Sequence, residues 1–339
     1  MHHRSGLWIG SAVVIIGIAA AAWIYSSVTT PRQPPGPPES LTIALNSTYL
    51  GSALVSIAAA NGYFKAEGLE VTLQPHATGR AALDAVLAAQ ADLATVAETP
   101  FMFAVMKRQA VSIVATISAA ARDHGVIARK DRGITTPADL KGKRVGVTRG
   151  TTGHFLLDVV LPAHGIQLRE VLIADLKPQE MVDGLLSGQV DAAATWNPHL
   201  DELKKALGEN GLVFFGGRGF RVTFNVAARQ DFIRQRPEAM KKLVRALLRA
   251  ETFAAERSED ARTVMARATR TDRAEVSAVW PDYQLQVRLD QELLTLLEDE
   301  SRWAIRNGYV DRAEVPNYLG FIHPDALAAV KPAAVTIIR

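Results

Sequence analysis

The sequence predicts two similar α/β lobes carried behind an apolar N-terminal segment and a proline-rich stalk. Three observations carry that prediction. From Leu41 onward, short apolar runs alternate with helical patterns, as βα units of a mostly parallel sheet do. A Gln-x-Asp turn occurs twice with a shared continuation: Gln90-Ala91-Asp92 precedes an apolar strand and Thr99-Pro100, and Gln189-Val190-Asp191 precedes another and Asn197-Pro198. Residues 7–28 are uncharged and mostly apolar, and as a helix would extend roughly 33 Å, enough to cross a bilayer's hydrocarbon core.

His2, His3 and Arg4 precede that apolar segment, and Trp23 and Tyr25 close it like an interfacial aromatic belt. Residues 1–30 are therefore expected to be a signal anchor with a cytoplasmic N-terminus, a cleaved signal peptide being the alternative. Pro31, Pro34, Pro35, Pro37 and Pro38 make 31–40 an extended spacer. Strands are expected at 41–45, 69–73, 93–97 and 111–117, with helices at 50–60, stopped by Asn61-Gly62, and at 81–89. A second series follows at 126–128, 144–147, 156–161, 171–173, 181–186 and 192–195. After Gly216-Gly217 come a strand-like run, 220–227, and helices at 237–255, 260–268, 273–279 and 291–307. Residues 41–122 with 218–339 form one expected lobe and 123–217 the other. The charges of Arg245, Arg249 and Glu251 read as a solvated helix face.

Composition narrows the function. The chain has 339 residues, and Lys+Arg 38 against Asp+Glu 35 gives a net charge of only +3, with no basic run interleaved with aromatics, so nucleic acid is not an expected partner. The absence of cysteine removes disulfides, thiolate metal sites, cysteine nucleophiles and lipid-modified cysteines. No His-Glu-x-x-His, Gly-x-Ser-x-Gly, Walker-type or dinucleotide fingerprint occurs in its required context, and His154, His164 and His199 share no ligand spacing. No catalytic residue, metal or cofactor is expected.

Binding of a small molecule is better supported. The loops Asn46-Ser47-Thr48-Tyr49, Ala77-Thr78-Gly79, Glu98-Thr99-Pro100 and Thr148-Arg149-Gly150-Thr151-Thr152-Gly153 each run from a strand end into a helix start. In an open parallel sheet such loops share one crevice, into which helix N-termini aim unpaired N–H groups. The Thr151-Thr152-Gly153 turn is the strongest anion candidate, with Gly150 and Gly153 permitting close approach. Taken singly, each loop is also ordinary helix capping. Trp196-Asn197 adds an aromatic wall and an amide. Glu98 has three readings: it balances a cationic group of a ligand, pairs with Arg149 across the cleft, or faces solvent beside a Thr99 cap.

Gly62-Tyr63-Phe64-Lys65-Ala66-Glu67-Gly68-Leu69-Glu70-Val71, Asp139-Leu140-Lys141-Gly142-Lys143-Arg144-Val145-Gly146-Val147 and Gly188-Gln189-Val190-Asp191-Ala192 stand in order along the chain. Together they resemble the nitrate/sulfonate/taurine-type, thiamine-precursor-like substrate-binding proteins of ABC importers, over roughly residues 41–238. The resemblance implies a type II periplasmic-binding-protein fold, two Rossmann-like lobes hinged near 122–125 and 216–219. It implies an anionic head group at Gly150-Thr151-Thr152, with Ser47, Thr48, Tyr49, Glu98, Thr99, Trp196, Asn197 and the Thr223-Phe224 strand lining the rest. It further implies a non-enzymatic monomer that delivers its ligand to an ABC permease on the periplasmic side of the cytoplasmic membrane, tethered by its N-terminal helix or secreted after cleavage. The cysteine-rich metal signature of the related thiamine-pyrimidine synthases is absent. The alternatives are a lyase-type enzyme on the same fold and a tethered sensor domain.

Overall fold

Strands β1 (Glu39–Asn46), β2 (Leu69–His76), β3 (Leu93–Ala97) and β4 (Val111–Ala120) enter one sheet of a computed structural model that describes residues 38–217 and 220–338. The chain then crosses to a second sheet of β5 (His124–Arg129), β6 (Arg144–Val147), β7 (Leu172–Asp175), β8 (Ala192–Trp196) and β9 (Gly211–Phe214), and returns with β10 (Val222–Arg229) and β11 (Tyr283–Arg288). The orders are β11-β4-β10-β3-β1-β2 and β7-β6-β8-β5-β9. The helices, in chain order, are α1 (Ala53–Ala60), α2 (Tyr63–Ala66), α3 (Gly79–Leu87), α4 (Glu98–Met106), α5 (Thr152–Ala163), α6 (Met181–Leu186) and α7 (His199–Leu207). After the return come α8 (Gln230–Gln235), α9 (Pro237–Glu256), α10 (Ser258–Thr269), α11 (Arg273–Val279), α12 (Gln291–Arg306) and α13 (Asp325–Val330). The anchor expected at 7–28 and the prolines up to Pro37 lie outside the described residues. Among the described residues no helix is long and apolar enough to cross a membrane.

The sheets are mixed, which corrects the expectation of mostly parallel ones. Only β2-β1-β3 and β7-β6-β8 are parallel trios, while β10 runs antiparallel to β3 and β4, and β5 antiparallel to β8 and β9. The exceptions are strands next to the two crossovers, where a chain that leaves one sheet and later returns must run against its neighbours. The strand β11 was not expected, although Tyr283, Leu285 and Val287 alternate with Gln284 and Gln286 as a half-buried strand does.

The two Gln-x-Asp turns perform the same task. Asp92 N donates to Thr42 O at 3.0 Å and its Oδ2 accepts from Thr42 N at 2.8 Å. Asp191 N donates to Arg144 O at 2.8 Å and its Oδ2 accepts from Arg144 N at 2.9 Å. Each carboxylate thus clamps the middle strand of a parallel trio one residue before its ladder with the third strand begins, at Ile43↔Leu93 and Val145↔Ala192, where a backbone N–H would otherwise lack a partner.

Alternation on the second sheet is strict. Val126 and Ala128 pack on one face with Leu156 and Leu157 of α5, whereas Ile127 packs on the other with Met181, Leu200 and Leu203. On the first sheet, α9 buries Met240, Leu243, Val244 and Leu247 completely, each contributing about 1.5–3 kcal/mol of transfer free energy. Its polar face is less solvated than expected: Arg245 Nε donates to Glu67 Oε2 at 2.6 Å, and Glu251 accepts from Val287 N at 2.8 Å and from Lys331 at 3.0 Å.

Candidate functional site: a cleft between the sheets

The strands β1, β3 and β8 end at one crevice between the two sheets, and α3, α4 and α5 begin beside it. The helix starts approach the strands closely. A Cβ on Gly79 at the start of α3 would sit 3.1 Å from Val96 Cα of β3, and one on Gly153 in the first turn of α5 would sit 3.1 Å from Ala194 O of β8. Gly153 therefore serves the helix-to-strand approach, not the contact with a ligand that the sequence suggested.

Tyr49, Thr78, Gly79, Thr151, Thr152, Trp196 and Phe224 line a narrow cleft with about 30 Å³ of free volume, joined by Asn46, Arg80, Ala97, Pro100 and His124, which sequence reasoning missed. Asn46 and Pro100 stand inside quoted loops and could have been included. His124 and Arg80 carry no local signal. Among the described residues Arg80 is the one Lys or Arg that lines the cleft, and its Nη1 donates to Arg149 O at 3.0 Å, bridging the two sheets.

The other expected residues stand elsewhere. Ser47 N donates to His76 O at 3.3 Å, and Thr48 is exposed and borders a separate groove with Asn197 and His199. Arg149 and Gly150 border an outer groove beyond Arg80. Thr99 is not a helix cap, because α4 begins one residue earlier with Ala97 at its N-cap. The hydroxyl of Thr151 donates its hydrogen to Thr148 O at 2.7 Å.

Glu98 is completely buried, which overturns its solvent-facing reading. Its Oε2 accepts from Thr223 N at 2.6 Å and Thr223 Oγ1 at 2.9 Å, and its Oε1 from Thr152 Oγ1 at 3.3 Å. These bonds, not Arg149, satisfy it. Thr99 Oγ1, 3.0 Å from Thr152 Oγ1, donates to Glu300 Oε1 at 2.5 Å, so a second buried carboxyl from α12 joins the group. Burial raises Glu98 to about 7 against the hydrogen bonds from Thr223 that favour its ionised form. Burial and then the neighbouring Glu98 push Glu300 well above the ordinary carboxylate range. The pair therefore holds a proton at neutral pH.

On the opposite wall, Asp123 is completely buried between His124, whose Nδ1 lies 3.0 Å from Asp123 Oδ1, and Tyr49, whose hydroxyl donates to Oδ2. Burial raises the Asp123 carboxyl, but the His124 imidazole and the hydrogen bonds from His124 and Tyr49 outweigh it and hold the group below its ordinary value. The rings of His124 and Trp196 stack with centroids 5.8 Å apart, and Tyr49 meets Phe224 edge-on at 4.7 Å. Among the described residues no group of three His, Asp or Glu side chains is placed to hold a metal ion. The first turns of α3 and α5 and the Arg80 guanidinium can together receive an oxyanion at the rim.

Residues 51–261 match the family model described as NMT1/THI5 like. A protein of Brucella abortus (strain 2308) named as a binding protein is 28% identical over 233 residues, covering 67% of this chain and 70% of that one. The taurine-binding periplasmic protein of Escherichia coli (strain K12) is 24% identical over 195 residues, 56% of this chain and 59% of that one. Among solved structures, the alkanesulfonate-binding protein SsuA from Xanthomonas axonopodis pv. citri, bound to MOPS, superposes with a TM-score of 0.73 at 17% identity, covering 85% of this chain and 99% of that one. The chain has the α/β periplasmic-binding-protein fold.

Proposed function

From the premise that the chain belongs to the NMT1/THI5-like family, we propose that it is the extracytoplasmic solute-binding component of an ABC importer, capturing a small organic anion or zwitterion between its sheets and handing it to a permease. The observation that carries this reading is the cleft itself. It is a narrow cleft between the sheets of a periplasmic-binding-protein fold, with two helix N-termini and Arg80 beside it and aromatic side chains in its walls. No step of bond making or breaking is assigned to it. Residues 41–122 with 218–339 act as one lobe and 123–217 as the other, moving about the hinge expected near 122–125 and 216–219, and the permease reads the closed shape.

The test is ligand-dependent stability of the full chain in detergent. Ethanesulfonate, taurine or nitrate is expected to raise the melting temperature with concentration, since a ligand that binds only the folded state adds about 2.7 kcal/mol at a hundred times its Kd. No rise with any small anion or zwitterion at millimolar concentration would remove the reading. We further infer that residues 7–28 tether a monomer to the outer side of the cytoplasmic membrane, from their length and lack of charge. The protein should then fractionate with membranes, and a soluble main species beginning after Val28 would contradict it.

A further inference from the structure

Two completely buried carboxyls, Glu98 in the first turn of α4 and Glu300 on α12, are joined by a chain of two hydroxyls. Glu300 Oε1 lies 2.5 Å from Thr99 Oγ1, Thr99 Oγ1 lies 3.0 Å from Thr152 Oγ1, and Thr152 Oγ1 lies 3.3 Å from Glu98 Oε1. Three contacts need three hydrogens, and the two threonine hydroxyls supply two. With both carboxyls ionised, Thr99 donates to Glu300 and Thr152 to Glu98, which leaves no hydrogen between the two hydroxyl oxygens. With a proton on Glu300 Oε1, the chain runs one way, from Glu300 through Thr99 and Thr152 to the Glu98 carboxylate, and every contact is a hydrogen bond.

Glu98 faces Thr223 of β10, His124 of β5 and Tyr49, and its Oε2 is occupied by the N–H and hydroxyl of Thr223. Glu300 faces Glu98, its chain neighbour Asp299, and Tyr318, whose hydroxyl is bound to Ser301. His154 and Tyr309 pack on Trp303, one turn further along α12. Glu300 Oε2 is buried without a hydrogen-bond partner among the described residues, and no Lys or Arg among them pairs with either carboxyl. Two ionised carboxylates in this space would be expensive, so the shared proton belongs to the packed arrangement.

Thr152 comes from the other side of the molecule. It opens α5, which follows β6 of the second sheet, whereas Glu98 and Thr99 follow β3 and Glu300 follows β11 of the first. Parting the sheets withdraws Thr152, breaks the middle of the chain and admits water to both carboxyls, which then ionise as hydrated ones do. We propose that Glu98, Thr99, Thr152 and Glu300 form a proton-dependent latch between the sheets, which binds one proton as the lobes close and releases it as they open. This goes beyond the importer reading and draws from it only the lobe motion. A carboxyl whose pKa is higher in the closed form favours closure below its open-form pKa, and that preference is lost as pH rises through its closed-form one. Glu98, raised to about 7, and Glu300, held well above the ordinary range by burial and then by Glu98, place the loss from neutral pH upward.

The chain contains no cysteine, so Lys107→Cys at the end of α4 and Arg169→Cys in the second lobe, both exposed positions, can carry one pair of spin labels. The experiment is pulsed electron spin resonance distance measurement on the full chain in detergent, without ligand. The expected result is a short distance at about pH 6 and a longer one that gains on it by up to about tenfold per pH unit towards about pH 9, the scale of one proton. Glu300→Gln, a neutral amide that donates to Thr99 at every pH, should hold the short distance throughout, and Glu98→Gln should flatten the response. Thr152→Val, which keeps the shape and removes the hydroxyl, should show the longer distance already at the acid end. A wild-type distribution that does not change with pH overturns the latch, whichever variants fold. So does a change that persists in Glu300→Gln, which would assign it to His124 or another group, or a Thr152→Val response identical to wild type. With no ligand present, such a failure leaves ligand-dependent stability, and the importer reading with it, untouched.

Discussion

Replacing Trp303 by alanine is expected to cost about 3–5 kcal/mol of folding stability, read as a lower denaturation midpoint in urea. Trp303 is on α12 and completely buried, and its ring meets Phe103 of α4 at 5.8 Å and His154, Phe155 and Tyr309 at 5.2 Å. Phe103 is on α4, which follows β3 of the first sheet, and His154 and Phe155 are on α5, which follows β6 of the second, so one side chain fills the seam between them. His154 is a neutral packing partner there, because burial and then the charge of Arg149 depress its pKa to about 4. A cavity at this seam has walls on α4 and α5, helices that follow strands of two different sheets, which limits how far it can collapse. Trp303→Phe should recover most of the loss, since Trp303 Nε1 has no hydrogen-bond partner among the described residues to forfeit. A loss below about 1 kcal/mol for the alanine variant would show that α12 does not join the two halves.

The second large effect is expected at Asp123. Asp123→Ala removes the acceptor for His124 and Tyr49 at a completely buried position, and removing one partner of a buried charged network costs about 3–5 kcal/mol. The pH dependence has a definite sign. A carboxyl held below its ordinary value contributes stability that is fully present above its unfolded pKa and is lost as pH falls through its folded one. The difference between wild type and Asp123→Ala should therefore be largest near neutral pH and shrink under acid conditions, measured by denaturant melts across that range. A difference that stays constant with pH would mean that the ionised carboxylate is not what stabilises the network. Because Asn197 N donates to Asp123 O at 2.9 Å, the same residue also ties the first crossover to the end of β8.

Several features of the cleft follow from short stretches of chain. The alternation at residues 41–45, 93–97, 144–147 and 192–195 places the parallel trios, and the Gln-x-Asp turns announce two equivalent strand starts. Tyr49, Thr78, Gly79, Thr151, Thr152 and Trp196 stand beside strand ends in the sequence and at the cleft in the structure. These features depend on bonds spanning a few residues or on a period of two, so local sequence suffices to specify them.

Tertiary structure alone decided the rest. Glu98 receives Thr223, Thr152 and the company of Glu300 from distant parts of the chain. Asp123 gathers Tyr49 and Tyr283 in the same way, beside its chain neighbour His124. The basic residue at the cleft is Arg80 and not Arg149, and β10 runs antiparallel to β3 because the chain has already visited the second sheet. In each case a buried polar group or a returning strand takes the partner that desolvation and chain crossing bring to it. No spacing within the sequence encodes which partner that will be, because the cost of leaving a buried donor or acceptor unpaired is settled only when the two sheets close on each other.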